Sequence, residues 1–131
     1  MPALSTWAEN TVVSFLVNGV SPTAPSSWFM ALYLTNPTAA DTGTEVSTSG
    51  GTNYARMPIT FTTPTSGSVS NVGEIDFPLA GATWGNVTYA GIRDSGSAGH
   101  LLFYGALTTP KYVASGDVLS FLIGNVVCTI S

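Results

Sequence analysis

Charge is what this chain has least of. Only ten of its 131 residues are charged at neutral pH, seven acidic and three basic. That 8 % is far below the ~25 % usual in soluble domains. Ser and Thr fill 33 positions and apolar residues make up 44 %, so the folded surface must be hydroxyl-rich and partly hydrocarbon. Such a surface has little repulsion to keep copies apart, and the composition predicts a subunit covered by protein neighbours. Arg56, Arg93 and Lys111 are the only cations. Three dispersed cations cannot neutralise a run of phosphates, which argues against nucleic acid and against an anionic membrane surface. Cys128 is the single cysteine, so an internal disulfide and a cysteine-based metal cage are excluded. That fits synthesis in a reducing cytosol, and a lone Cys in an apolar strand is read as a buried packing residue. Long apolar runs are absent too. Val12 to Val20 is too short to cross a bilayer, and the N-terminus has no basic region of the signal-peptide kind. The chain is expected to be made and used without export.

What is present reads as one domain, 1–131, long enough to hide roughly 65–70 % of its unfolded surface without staples. A helix is expected over about 6–18. Thr6 and Glu9 form a capping-box pattern. Leu4, Trp7, Ala8, Val12, Phe15, Leu16 and Val20 recur at helical spacing as one apolar face, opposite Glu9, Asn10, Ser14 and Asn18. Gly19 suits the C-terminal cap, and Pro22 and Pro25 prevent continuation. From about 27 to 131 the pattern is strands and turns. Residues 28–35 alternate with both faces fairly apolar, so this strand is read as central and covered on each side. Residues 36–53 are a long polar excursion, expected to be functional or to become ordered on a partner. Residues 54–62 alternate again, with Met57, Ile59 and Phe61 on one face, and Pro58 puts the strand at an edge or a bulge. Short strands follow near 69–72 and 74–77. Residues 84–94 and 100–107 read as a hairpin around 95–99, and 110–114 and 118–130 as two strands around Ser115-Gly116-Asp117. Seven to nine strands with turns every 8–12 residues predict an all-β fold, an antiparallel β-sandwich or jelly roll with one N-terminal helix.

Little in the sequence points to bond-making chemistry. His100 is the only histidine, and no Gly-x-Ser-x-Gly elbow accompanies it. It is read as flanking a hairpin strand, half in solvent. Glu74 and Asp76 are two apart on a strand and share a face, at ~7 Å within the range of glycosidase carboxylate pairs. A pair on a short strand is ordinarily its solvated face. No catalytic residue, no cofactor and no enzymatic activity are expected. Asp41-Thr42-Gly43-Thr44-Glu45 resembles half of a calcium loop, which makes Asp41 and Glu45 a weak calcium candidate without the EF-hand pattern. Among the aromatics, Trp84, before Gly85 at a strand start, is read as the tryptophan most exposed. Tyr54, Tyr89, Tyr104 and Tyr112 suit an interface, since Tyr joins contact area to a polar tip. The residues expected to touch other protein are Trp7, Glu45, Tyr54, Arg56, Trp84 and Tyr89.

Four segments occur in a recognisable order: WFMALYLTNPT (28–38), GTEVSTSGGTNYAR (43–56), TWGNVTYAGIRD (83–94) and LLFYGALTTPKYVASGDVLSF (101–121). Together with the N-terminal helix they resemble a family of small tailed-bacteriophage virion proteins, labelled tail-fibre-like or head-decoration proteins. The resemblance covers nearly the whole chain. It differs at 47–53, where the loop is a little longer and Thr52-Asn53 interrupts a glycine run. It implies a virion structural protein with a β-sandwich or jelly-roll body and no enzymatic residues. The favoured expectation is a capsid decoration (cement) protein on the virion capsid surface, synthesised in the bacterial host cytoplasm. It would bind the major capsid protein and itself, as a homodimer or homotrimer, and stabilise the shell. The short chain lacks the repeats and heptads of a fibre shaft. The alternatives are a tail or tail-fibre component at the host-facing end, and a carbohydrate-binding module using Trp84 and Tyr side chains.

Overall fold

A computed structural model describes residues 2–130. Its elements, in chain order, are β1 (Ala3–Leu4), α1 (Thr6–Asn18), β2 (Phe29–Tyr33), β3 (Met57–Pro58), β4 (Ser68–Ser70), β5 (Ile75–Asp76), β6 (Gly85–Arg93), β7 (Leu101–Val113), β8 (Ser120–Phe121) and β9 (Val127–Thr129). The protein is all-β with one helix, as the turn spacing predicts. Every ladder is antiparallel. The strands form one five-stranded sheet, ordered β1-β7-β6-β2-β3, and two two-stranded ladders, β4-β9 and β5-β8. These are not the two matched sheets of a jelly roll.

β2 is interior to the large sheet, and its alternation explains why. Met30 and Leu32 face a core shared with Ile75, Phe77, Leu119 and Cys128 from the small ladders and their flanks. Ala31 and Tyr33, on the opposite face, are buried as well. Pro58 lies on β3 at the sheet edge, where a missing N–H removes no ladder bond. The strand expected over 54–62 shrinks to two residues, although Met57, Ile59 and Phe61 still turn toward the core. The 84–94 and 100–107 hairpin forms, as β6 and β7. The hairpin expected from 110–114 and 118–130 does not form. Residues 111–113 continue β7 against β6, while β8 and β9 pair with β5 and β4. The register jumps from Val87 opposite Lys111 to Tyr89 opposite Ala106, so residues 107–110 bulge from the ladder.

The helix has the expected span, but its cap is Ser5 and not Thr6. The Ser5 hydroxyl accepts from the Ala8 N–H at 3.1 Å and donates to the Leu101 carbonyl, so it both caps α1 and fastens it to β7. Ser and Thr are adjacent here and either suits a cap; the long-range partner of Ser5 decides. Gly19 ends the helix at φ 69°, a left-handed conformation that glycine adopts without a Cβ penalty. The apolar face does not pack as its periodicity predicts. Of the helical residues only Ala8 is buried. The bonds and the ring stack that fasten it are at the first turn: Ser5 N to Leu102 O (3.0 Å), Thr6 N to Ala39 O (2.9 Å), and the Trp7 ring on His100, while Thr11, Val12 and Ser14 are half-buried.

Candidate functional site, an interaction surface

Two of the three cations are spent inside the fold. Arg93, on β6, has a side chain 7 % exposed and grips Asp41 through two bonds of 2.8 Å. It also donates to the Tyr33 hydroxyl at 2.9 Å and the Gly99 carbonyl at 2.9 Å. Arg56, 9 % exposed, grips Glu45 through bonds of 2.9 and 2.8 Å and donates to the carbonyls of Ser95 and Ala98. Burial disfavours the Arg93 charge, but the bonds to Asp41 and Tyr33 outweigh it and hold the guanidinium protonated. The Tyr54 hydroxyl donates to Glu45 at 2.6 Å and accepts from the Leu32 N–H at 3.0 Å. Burial first, then the Glu45 carboxylate, raises its pKa.

This pair of forks gives the 36–53 excursion its order without a partner. Asp41 and Glu45 are tied to the sheet, Val46 is in the core, and backbone bonds join Leu34 to Thr44 and Val46 to Leu32. Gly43 is required because a Cβ there would come within 2.6 Å of the Pro37 backbone. Asp41 and Glu45 face different arginines, and no group of three or more His, Cys, Asp or Glu side chains among the described residues could hold a metal ion. The calcium-loop likeness is replaced by two arginine clamps.

The expected contact residues divide. Trp84 is 4 % exposed, contrary to its reading as the most exposed tryptophan. Its indole N–H donates to the Thr52 carbonyl at 2.8 Å, and its ring meets Tyr54 and Phe77 edge-on. Tyr54 is also core. Neither can touch a partner, because both are buried in the core, Trp84 at 4 % and Tyr54 at 4 % exposure. Glu45 and Arg56 are committed to each other, and Tyr89 is half-buried on β6. Trp7 does reach the surface. Its ring stacks on His100 with centroids 4.0 Å apart. Asp94 accepts from the backbone N–H of His100 at 2.7 Å and lies 3.1 Å from the imidazole Nδ1. Burial pushes the Asp94 pKa up, and these bonds outweigh it to leave the group below the ordinary carboxylate range. Trp7, Asn10, Ser14, Asp94 and His100 line a cleft of about 710 Å³ closed on its far side by residues 20–26. Glu74 and Asp76 are exposed neighbours, and their mutual interaction raises the Glu74 pKa and lowers that of Asp76. Cys128 is buried, and burial pushes its thiol up to about 12.

The surface that composition predicts lies mostly elsewhere. Val13, Leu16, Val17 and Val20 are all more than half exposed, with Val17 at 72 %, and so is Phe15. A second apolar exposure is the turn after β8, where Leu122 and Ile123 point outward. This turn is held from below by buried Asn71. Its side-chain amide donates to the carbonyls of Gly73 and Leu122, and its Oδ1 accepts from the Val126 N–H at 2.9 Å. Between β7 and the β8–β9 region runs an open groove of about 740 Å³ floored by Met30, Ile92, Phe103 and Phe121. Of the apolar face read from the helical spacing, Leu4, Ala8 and Val12 turn inward while Phe15 and Leu16 are exposed; Val13 and Val17 lie outside that spacing. Asn71 carried no signal beyond its place between two short strands.

Two comparisons bear on this surface. A family model described as Gp80, podophage GP4 fiber I protein gp80, matches residues 3–129. None of the curated proteins searched matches the chain.

Proposed function

The chain belongs to the podophage GP4 fiber I protein family and is a bacteriophage virion structural protein, and from this premise we propose that it is a non-enzymatic fibre component of the phage tail. The family match over residues 3–129 carries the reading, since it spans the helix and every strand. The family's description favours the fibre alternative over the capsid-cement expectation. The structure supports a role in assembly: an ion-poor body with apolar side chains left outside is suited to bury them against other protein. Gold-labelled antibody against the protein, imaged on intact particles, tests it. Label at the tail is expected; label distributed over the capsid faces would return the protein to the cement reading.

A second reading is favoured by one observation, the Trp7 cleft. An accessible indole beside Asn10, Ser14, Asp94 and His100 combines an apolar platform with hydrogen-bonding groups, as sugar sites do. The glycan-binding alternative therefore moves from buried Trp84 to Trp7. Loss of glycan-array signal in Trp7→Ala would support it, and an array without hits for the wild type would discard it.

A further inference from the structure

We propose that the groove between β7 and the β8–β9 region takes an extended segment of another protein, apolar at alternate positions and carrying a carboxylate at the Lys111 end. The groove is a place where the core is left uncovered. Phe103, Leu107, Phe121 and Val126 pack against the core yet stay partly exposed, and all four line the groove. Its banks are strands that each keep an edge without a neighbour. β9 pairs only with β4, and β8 only with β5. On its outer side β7 pairs with β1 at Phe103 and Tyr104 and with no described residue beyond. On its inner side residues 107–110 have no partner on β6. Leu107, Thr108 and Thr109 line the groove, so peptide groups outside either ladder stand along one bank. An acyl chain would leave those groups unused. An extended peptide bonds to them and sets every second side chain on the apolar floor, as strands added to sheet edges do.

Lys111 specifies the charge of that segment. Lys111 lies opposite Val87, and Phe103 opposite Ile92. Val87 and Ile92 are core residues, and paired residues share a face, so the lysine leaves β7 on the core side, where it lines the groove. The ion pairs of the described residues engage Arg56, Arg93 and His100, and Lys111 is in none of them. It is the one Lys or Arg left to meet a partner. An inward-pointing charge and a bulge are devices that keep stray strands off an edge. Here they discriminate. An uncharged or basic segment leaves the ammonium beside hydrocarbon unpaired, and an acidic one neutralises it. The rows of Lys111 and Gly105 are those of Val87 and Ala90 on β6, with Pro2 against Gly105, and at ~3.3 Å per residue they lie ~10 Å apart. About four residues of the segment therefore span the groove from Pro2 to the ammonium. The inference goes beyond the fibre reading and holds wherever on the virion the protein sits.

Selection of random heptapeptides from a display library on the full chain is the test. Enriched peptides should share apolar residues at alternate positions and an Asp or Glu at one end. On a Lys111→Glu chain the same selection should enrich Lys or Arg at that position. Lys111 is exposed, so its replacement leaves the fold intact. An enriched peptide, made synthetically, should bind with a Kd below ~1 mM. Changing its acid to the amide should weaken binding about 3-fold, the worth of one ion pair. Amide NMR shifts should fall on residues 103–111 and 119–128, with contacts from the peptide's apolar side chains to the Phe103 and Phe121 rings. A library without enrichment, a consensus that ignores the Lys111→Glu change, or shifts centred on α1 or the Trp7 cleft would each overturn the proposal. So would displacement of the peptide by an equal concentration of dodecanoate, which would make the groove an amphiphile site. Groove shifts that grow with the concentration of the chain alone would also overturn it, by making the occupant a second copy.

Discussion

Residues 36–53 and residues 6–20 invert each other's expected roles. The first segment is polar, rich in Thr, Ser and Gly, and reads as a loop awaiting a partner. In the fold it is clamped by Arg56 and Arg93, and Val46 and Thr52 are buried. The second reads as an amphipathic helix packed on its own sheet. It is fastened at its first turn, and its second half leaves Val13, Phe15, Leu16 and Val17 in solvent. Polarity indicates where side chains can stand, and says little about whether the backbone is fixed. Periodicity indicates that a stripe exists, and says nothing about which molecule covers it.

Substitutions can break this contrast. Trp84→Ala should have the largest effect, about 4 kcal/mol by analogy with other buried aromatic truncations, because Trp84 joins the 36–53 segment to the core through Thr52, beside Tyr54. Urea denaturation measures it; a loss below about 1 kcal/mol would mean that the segment is not anchored there. Asp41→Ala leaves Arg93 without its carboxylate; because Asp41 is 35 % exposed and Arg93 keeps its bonds to Tyr33 and Gly99, the cost should be about 2 kcal/mol, read as a lowered denaturation midpoint. Ser5→Ala removes the cap and the link to β7, for about 1 kcal/mol. If α1 is fastened only at its first turn, that variant should also speed amide exchange along the whole helix while β6 stays protected.

Smaller effects sharpen the same comparison. Asp94 has a folded pKa below its unfolded value, so its contribution is present above the unfolded value and fades as pH falls through the folded one. Asp94→Asn should therefore flatten the acid limb of the stability curve below about pH 4, and an unchanged limb would remove Asp94 from the helix anchor. Smallest of all, Leu16→Ser should change unfolding stability of the monomer by no more than about 0.5 kcal/mol, as at other exposed sites. A larger loss would mean that the stripe packs within its own chain.

Much of the fold was legible because its signals are local. Gly19 and the prolines stop the helix, the alternation at 28–35 gives an interior strand, and Pro58 sits on an edge. What failed to show depended on distant partners. Ser5 outcompetes Thr6 through Leu101, 96 residues away. The 118–130 segment finds β4 and β5 where its neighbour across the turn was expected. Gly85 beside Trp84 suggests exposure, while Thr52, Tyr54 and Phe77 determine its burial. The arginine clamps have a readable sign: Arg93 follows Ile92 on a strand with no other charge, where a half-buried cation needs a carboxylate.

The arginine clamps also determine how the molecule meets others. With Arg56 and Arg93 neutralised internally, the outside retains five carboxylates and the lone ammonium of Lys111. No field of either sign is strong enough to draw a neighbour in from a distance. Encounters should then proceed at the unsteered rate of ~10⁵–10⁶ M⁻¹s⁻¹ and barely respond to added salt. Joining the particle becomes a matter of how many copies are present, and the ionic strength of the medium hardly enters.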